Sequence, residues 1–364
     1  MLFTSGTTGR ARGVCRSGRS DYYAAMALIV EHRWQRFERN LAVMPLYHTM
    51  GLHALISMVL LNGTSLLLPR LDAEECLDYI HRGQVSSLYL VPTAYHKLVE
   101  AAAAGGITPC KVPRLAYAGA PMTADLVEQC LAFFQPDIFV NHYGCTEMLA
   151  ITANPNLKEK PASAGRPALH SRIAIVPADR DGERKFTRIL QPGQTGEIVA
   201  DVSSPQAFLG YLHNAAATAE RVRDGWYYTG DLGYCDEQGD LYLVGRVDDM
   251  IISGGENIYP REVEEILLSH PAVKEAAVVG SPDPRWGEVV TAFIVPVAEP
   301  PPPAELENFC RESPRLARFQ RPRRYIFTRE IPKSPAGKVL YAALRQRAAS
   351  TGALQPPEGG SDYT

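Results

Sequence analysis

From Ser20 to His142 the hydrophobic pattern keeps switching between helical spacing and short apolar runs, and this alternation constrains the fold more than any single motif. Ser20 to Val30 carries apolar residues at helical spacing. Leu41 to Leu46 and Thr64 to Leu68 are short apolar runs bounded by Pro or Gly, with a helical stretch, Gly51 to Leu61, between them. Asp72 to Arg82 reads as a helix stopped by Gly83, Val85 to Val91 as a strand and Thr93 to Ala104 as a helix. Leu115 to Ala118, a helix opened by Pro121, and Ile138 to His142 continue the series. Strand and helix in turn predict an α/β domain with a doubly wound, mainly parallel sheet covered on both faces. Ligands collect at the carboxyl ends of such strands. Three stretches would converge there: the opening loop, Ala118-Gly119-Ala120-Pro121, and the residues after Val140.

Beyond Gly165 the pattern changes to short strands and turns, Ile173 to Val176, Gly196 to Val202, Tyr227 to Thr229 and Leu241 to Val244, with Glu237-Gln238-Gly239-Asp240 as a hairpin turn. After Asp248 it mixes again. Met250 to Ser253, Ala276 to Val279, Thr291 to Val295 and Tyr325 to Thr328 read as strands, Pro260 to Ser269 and Ala304 to Cys310 as helices. The expected organisation is residues 1–164 as part of a large domain, 165–247 as its β-rich subdomain, 248–348 as a small α+β domain with a stiff proline connector at 300–303, and 349–364 as a disordered tail.

The 364 residues are 46% apolar and 21% charged, the balance of an ordinary globular protein. A net charge of -3 gives no whole-molecule reason to expect nucleic acid or a membrane surface, so any anion site is local. The longest apolar run, Leu52 to Leu61, is too short to span a bilayer, and the N-terminus lacks the features of a secretory signal. Seven scattered cysteines without a Cys-x-x-Cys pair fit reduced thiols and a cytoplasmic location. Nothing in the residues decides the oligomeric state, a homodimer included.

The opening Thr4-Ser5-Gly6-Thr7-Thr8-Gly9-Arg10-Ala11-Arg12-Gly13 has glycines that let backbone N–H groups point inward, hydroxyl donors from Thr4, Ser5, Thr7 and Thr8, and charge from Arg10 and Arg12. Such a loop holds phosphate oxygens, although no Gly-Lys-Ser/Thr follows as in a Walker A loop. Asn141-His142-Tyr143-Gly144-Cys145-Thr146-Glu147 follows a strand directly. It sets an aromatic ring, a hydroxyl and a carboxylate at one strand end, a group suited to a nucleotide with Mg2+: Tyr143 on a base, Thr146 on phosphate, Glu147 on the metal. Further on come Tyr228-Thr229-Gly230-Asp231, Gly245-Arg246-Val247-Asp248-Asp249, Ser253-Gly254-Gly255-Glu256-Asn257 and Pro332-Lys333-Ser334-Pro335-Ala336-Gly337-Lys338.

Together and in this order, from Leu2 to about Leu344, these motifs resemble the adenylate-forming superfamily of acyl-CoA synthetases, luciferases and adenylation domains. Met44-Pro45-Leu46-Tyr47-His48, Ala207 to Leu212 and Arg246 to Asn257 look most like bacterial 4-chlorobenzoate and related aryl-CoA ligases. The resemblance implies ATP, Mg2+ and coenzyme A, and a reaction in two halves. A carboxylate first attacks the α-phosphate of ATP to give an acyl-adenylate and pyrophosphate, and the CoA thiol then displaces AMP.

The resemblance also implies roles. Lys338 would bridge the carboxylate and the α-phosphate, with Thr146, Glu147 and Arg246 as its catalytic partners. Thr4 to Gly9 (Ser5, Gly6, Thr7, Thr8), Arg12, Gly119, Ala120, Asn141, Tyr143, Gly144, Asp231 and Arg246 would hold the nucleotide, Asp231 as an acceptor for both ribose hydroxyls. Gly254 and Gly255 would let pantetheine pass close to backbone, and Trp286, Phe319, Arg321, Arg323 and Arg324 would contact CoA. The acid would lie against His48, Thr49, Met50, Tyr89, Ala118, His142, Met148 and Leu149, walls that favour a compact ring acid. Asp248 would be the hinge on which the small domain swings between the half-reactions.

Two departures stand out. The loop reads Ala11-Arg12-Gly13 where the family pattern reads Pro-Lys-Gly, so charge is kept but head shape is not. Family members also carry part of the large domain, including strands of its sheet, before this loop. The resemblance therefore implies a missing N-terminal portion and an exposed sheet edge prone to aggregation. The alternative function is a catalytically impaired nucleotide- or CoA-binding remnant, or an adenylating enzyme with another acceptor.

Overall fold

The computed structural model describes residues 1–4, 11–178, 186, 188–333 and 339–351. They form two compact units, Met1–Leu243 and a second beginning at Val244.

The first unit opens with an antiparallel hairpin, β1 (Leu2–Thr4) and β2 (Arg12–Cys15), in register from Leu2↔Val14 to Thr4↔Arg12. Residues 5–10 connect them and lie outside the described residues, so the core of the glycine-rich loop has no described geometry. Next come α1 (Gly18–Glu31), β3 (Arg39–Ala42), α2 (Thr49–Leu60), β4 (Thr64–Leu67), α3 (Ala73–His81), β5 (Ser87–Leu90), α4 (Pro92–Ala104), β6 (Arg114–Ala118), α5 (Ala124–Phe134), β7 (Ile138–Tyr143), β8 (Thr152–Asn154) and β9 (Arg166–Pro167). The sheet runs β4-β3-β5-β6-β7-β8-β9, parallel from β4 to β7 and closed by two antiparallel strands.

Local signals set the helix ends. Ser17 and Ser20 make a capping box for α1, the Asp72 carboxylate accepts from Glu75 N–H at α3, and Gly83 follows α3 with φ +64°. The fifth helix starts later than its proline suggests: Thr123 caps it by accepting from Leu126 N–H, and Pro121 lies in the loop before. A side-chain acceptor for an orphan N–H decides the start, and Pro121 has none to offer.

Strand pleat sorts the core into two layers. Leu88, Leu90, Leu115, Tyr117 and Phe139 face α3, α4 and α5. The intervening Tyr89, Ala116, Ala118, Ile138 and Val140 face α1 and α2.

A smaller sheet follows, from β10 (Ile173–Val176), β11 (Gly196–Asp201), β12 (Gly210–Tyr211), α6 (Ala215–Arg221), β13 (Val222–Arg223), β14 (Trp226–Cys235) and β15 (Leu241–Arg246). Its order is β10-β11-β14-β13, with β15 on β14; β12 instead joins the opening hairpin through β2. The expected turn at 237–240 is present, with Gly239 at φ +85° and its N–H on the Asp236 carbonyl at 2.9 Å.

The second unit contains β16 (Ile251–Ser253), β17 (Glu256–Ile258), α7 (Pro260–Leu268), β18 (Val273–Asp283), β19 (Gly287–Pro296), α8 (Pro303–Glu312), β20 (Arg324–Phe327) and α9 (Tyr341–Thr351). The sheet is β17-β16-β19-β18 with β20 parallel to β19. Helices α7 and α8 cover one face, α9 the other. Helix α9 runs to Thr351, past the residue 349 at which the composition suggests a tail.

Glu264 of α7 is buried and accepts from Val278 N–H at 2.8 Å and, from the start of α9, from the Tyr341 hydroxyl at 3.0 and 3.1 Å. Burial pushes its carboxyl from the ordinary 4.5 up to about 7, with those hydrogen bonds working the other way. The folded state thus holds this proton more tightly than the unfolded chain does. The stability it contributes is fully present below pH 4.5 and is lost as pH rises through about 7, to a total of roughly 3 kcal/mol. Urea midpoints of this chain should fall between pH 5 and pH 8. Glu264→Gln, which keeps shape and cannot ionise, should remove that part of the fall; equal slopes for the two proteins would contradict the assignment.

Candidate active site

The Asn141–Glu147 motif occupies the end of β7 and the turn after it. Gly144 is obligatory there, since a Cβ at this position would meet the Leu149 carbonyl oxygen at 1.4 Å. The turn folds back on itself through Leu149 N–H to the Cys145 carbonyl and Ile151 N–H to the Tyr143 carbonyl. Asn141 donates from Nδ2 to the Ser163 carbonyl at 3.0 Å.

Tyr143 reaches across to the small sheet and donates its hydroxyl to Asp231 Oδ2 at 2.7 Å. Two motifs far apart in sequence thus meet at one strand end. Burial and the adjacent Asp231 carboxylate push the Tyr143 phenol well above its ordinary range, so it stays a donor. Asp231 is itself placed by β14, where its N–H bonds Thr229 Oγ1 at 3.0 Å and the Gly230 N–H bonds the buried Glu197 carboxylate at 3.0 Å.

Glu147 is buried, and its Oε1 accepts from the Tyr211 hydroxyl at 2.7 Å. The Arg12 guanidinium lies over the same Tyr211 ring, 5.6 Å from its centroid. Tyr211 therefore joins the basic arm of the opening hairpin to the candidate metal ligand. The loop end of that hairpin also holds Thr4, paired with Arg12.

Arg16, just beyond β2, is a residue the motifs did not single out. Its side chain is 1% exposed; Nε donates to Asp21 at 2.6 Å, and one terminal nitrogen donates to the Thr146 carbonyl at 3.0 Å and, more weakly, to that of Glu147 at 3.4 Å. The buried His53 ring then bridges Asp21 at 3.0 Å and the Thr49 carbonyl at 2.9 Å. Burial alone would raise the Asp21 carboxyl, but the hydrogen bonds from His53 and Arg16 hold it at about 2. Nothing in the linear pattern around Arg16 separates it from the neighbouring surface arginines.

The expected acid-facing residues divide. Met50, Tyr89, Ala118 and Leu149 share one buried layer with Trp34, and Tyr89 and His142 are joined by a 2.7 Å hydrogen bond between hydroxyl and Nδ1. Burial lowers the His142 imidazole to about 4. His48 caps α2, its Nδ1 accepting from Met50 N–H at 3.4 Å. Met148 packs in a different cluster, with Val14, Ile151 and Tyr211. Gly119, at φ +87°, and Ala120 are exposed just beyond β6.

In the second unit, Gly254 at φ +61° lies against Trp286; a Cβ there would meet the ring at 2.7 Å. Arg323 and Arg285 stack over the same indole at 4.8 and 4.9 Å. Arg324 instead donates to Ser281 Oγ at 3.2 Å, and Phe319 is exposed in a short turn at Arg318–Gln320. Gly255 is exposed beside Gly254, Arg321 is half-buried, Arg246 ends β15, and Asp248 lies in the turn at Val247–Asp249. Lys338 and Ser5 to Gly9 fall outside the described residues.

Among the described residues no three His, Cys, Asp or Glu side chains are grouped to hold a metal ion. A single carboxylate such as Glu147 nevertheless suits Mg2+, which is ordinarily held by one or two carboxylates together with phosphate oxygens and water. No helix among the described residues is long and apolar enough to cross a membrane, and all seven cysteines are free.

Residues 1–212 match the family model of the AMP-binding enzymes, and residues 262–338 match that of the AMP-binding enzyme C-terminal domain. The chain is 39% identical over 343 residues to a 2-succinylbenzoate–CoA ligase of Bacillus licheniformis, covering 93% of this chain and 68% of the relative. It is 35% identical over 364 residues to a 4-chlorobenzoate–CoA ligase of Arthrobacter, covering 99% and 68%. Among solved structures, o-succinylbenzoate CoA synthetase from Bacillus subtilis in complex with its acyl-adenylate intermediate superposes with a TM-score of 0.81 at 34% identity, over 94% of this chain and 68% of that one. ATP-bound MatB from Rhodopseudomonas palustris gives 0.83 at 29% identity, over 95% and 67%. The chain therefore spans about two thirds of the length of these relatives. With both of its units matched and the strand-end motifs gathered as described, this chain belongs to the AMP-binding enzyme family.

Proposed function

We propose that the chain is an ATP-dependent carboxylate–CoA ligase, an acid–thiol ligase working through an acyl-adenylate on a small aromatic or cyclic acid. The observation that carries this reading is the 2.7 Å hydrogen bond from Tyr143 to Asp231, which sets a donor-rich strand end and an acceptor carboxylate side by side, as a ribonucleotide needs. The relatives support the acid class, being named for 2-succinylbenzoate and 4-chlorobenzoate. One solved neighbour binds ATP and magnesium ion.

In the first half-reaction an anion attacks an anion, so charge on the phosphoryl oxygens has to be neutralised as the transition state forms. In this reading Asp231 accepts from the ribose hydroxyls, Thr146 donates to phosphate, and Thr4 and Arg12 present the hairpin's hydroxyl and charge. Glu147 would hold Mg2+, which when bound neutralises phosphate charge. Arg16, by fixing the two carbonyls of the turn, positions Thr146 and Glu147 without touching substrate. Lys338 and Arg246 supply the cations at the α-phosphate. In the second half-reaction Gly254, Trp286 and Arg323 form a surface on which backbone, ring and guanidinium meet the CoA arm, with Asp248 as the hinge. A cytoplasmic location completes the proposal.

Pyrophosphate release should appear with ATP, CoA and one or more of benzoate, chlorobenzoate, furoate, cyclohexenecarboxylate or succinylbenzoate; retained ATP binding without release for any acid would refute the ligase reading. Lys338→Ala should slow adenylate formation by on the order of 100- to 1000-fold while sparing thioester formation from supplied acyl-adenylate, and equal losses would contradict its role. Arg16→Met should cost about 2 to 3 kcal/mol of stability, because the partly buried Asp21 keeps its charge without its guanidinium partner. It should also slow adenylation by on the order of 100-fold through misplacement of the turn. A stable variant with unchanged rate would remove Arg16 from the site. Asp248→Pro should impair one half-reaction selectively, which separate assays of the two steps would detect.

A further inference from the structure

His32 closes the C-terminal end of α1 and is 1% exposed, yet neither its Nδ1 nor its Nε2 has a hydrogen-bond partner among the described residues. Three rings surround it edge to face, Trp34 and Tyr89 with centroids at 4.8 Å and His142 at 5.6 Å. Tyr89 and His142 are themselves joined by their 2.7 Å hydrogen bond. Trp34 and Tyr89 belong to the same buried layer as Met50, Ala118 and Leu149, against which the family resemblance would place the acid.

A buried donor or acceptor left unpaired costs about 1–3 kcal/mol, so native proteins rarely keep one without a use. An all-apolar layer would have held a leucine or phenylalanine here at no such cost. Burial and the neighbouring His142 push the His32 imidazole well below its ordinary range. In its neutral form the ring presents one N–H donor and one acceptor nitrogen. A hydroxyl satisfies both and a carbonyl satisfies the donor, whereas chlorine or hydrogen satisfies neither. A second carboxylate would have to shed its water among Trp34, Met50 and Ala118, at a far higher cost.

We propose that His32 is a specificity-determining residue that reads an uncharged oxygen substituent, a hydroxyl or a carbonyl, on the ring of the acid, with the Tyr89–His142 pair holding it in place. The inference rests on the ligase reading and narrows its substrate class. His32 carries no part of the chemistry; it selects the acid.

The test compares kcat/KM for pyrophosphate release with hydroxybenzoates and acetylbenzoates against benzoate and chlorobenzoates, in the wild-type chain, His32→Phe and His32→Asn. The wild type should favour an oxygen-bearing acid by roughly 100-fold or more, the discrimination open to a site whose buried polar group is otherwise unpaired. His32→Phe, close in volume, should level that preference mainly through KM, and His32→Asn, which keeps a donor and an acceptor, should restore part of it. A wild-type preference for benzoate or chlorobenzoate, or an oxygen preference that survives His32→Phe, would overturn the proposal. Ring 15N resonances of His32 give a readout independent of turnover: they should move on addition of an oxygen-bearing acid and not of benzoate. Were no acid to release pyrophosphate, the ligase reading would fail separately, and these resonances alone would decide, movement supporting the proposal and silence overturning it.

Discussion

The pairing of the buried Arg16 side chain with the partly exposed Asp21 carboxylate is the contact on which the candidate site depends. A guanidinium offers five donors in a rigid fork, and here they are spent on the Asp21 carboxylate, the carbonyls of Thr146 and Glu147, and the Ser20 carbonyl. Four pieces of chain are tied by it: the end of the opening hairpin, the first turn of α1, the turn after β7, and, through Asp21 and His53, the first turn of α2. Desolvating these charges is expensive, and the cost is offset only because Asp21 answers with two strong partners and stays ionised down to about pH 2. An arginine used in this way is a brace. It leaves Tyr211 and Tyr143 to orient the two carboxylates, Glu147 and Asp231, that face the nucleotide in our proposal.

Across the strand ends the polar groups are treated in opposite ways. Around Arg16 and Glu147 they are charged and satisfied. Around His32 and His142 burial keeps them neutral, and among the described residues both ring nitrogens of His32 and Nε2 of His142 lack a hydrogen-bond partner. A charged, satisfied wall suits groups that are anionic in every substrate of the reaction. In our proposal the neutral layer meets the part of the acid that varies from one relative to another, where selectivity comes from leaving the wrong substrate unable to pair.

How much of this was legible in the residues follows from the range over which each signal acts. The parallel strands and their helices could be read because periodicity and caps are local: Asp72 and Gly83 bracket α3 much as the spacing predicts. The opening hairpin could not, since its glycines and hydroxyls read as a loop while its strands are only three and four residues long and gain their order by pairing with β12. Strands β18 and β19 extend well beyond the apolar runs 276–279 and 291–295 because ladder pairing carries Gly280 to Asp283 and Gly287 to Val290 into the sheet despite their turn-forming residues. Tyr143, Glu147 and Asp231 were marked by their motifs. Arg16, His53 and His32 were not, because an arginine or histidine looks the same in sequence whether it is solvated or buried.

The linear sequence by itself determined the class of the protein: the alternation that builds a doubly wound sheet, and a series of motifs whose order identifies an adenylate-forming enzyme. Those are properties of neighbours along the chain, and local propensity and residue type suffice to express them. Only the tertiary structure decided which charges are buried and paired, which imidazole nitrogens lack a partner, and that Tyr143 meets Asp231 across two sheets. The desolvation of a charge or a ring nitrogen depends on atoms brought in from distant segments, so no window of sequence contains it.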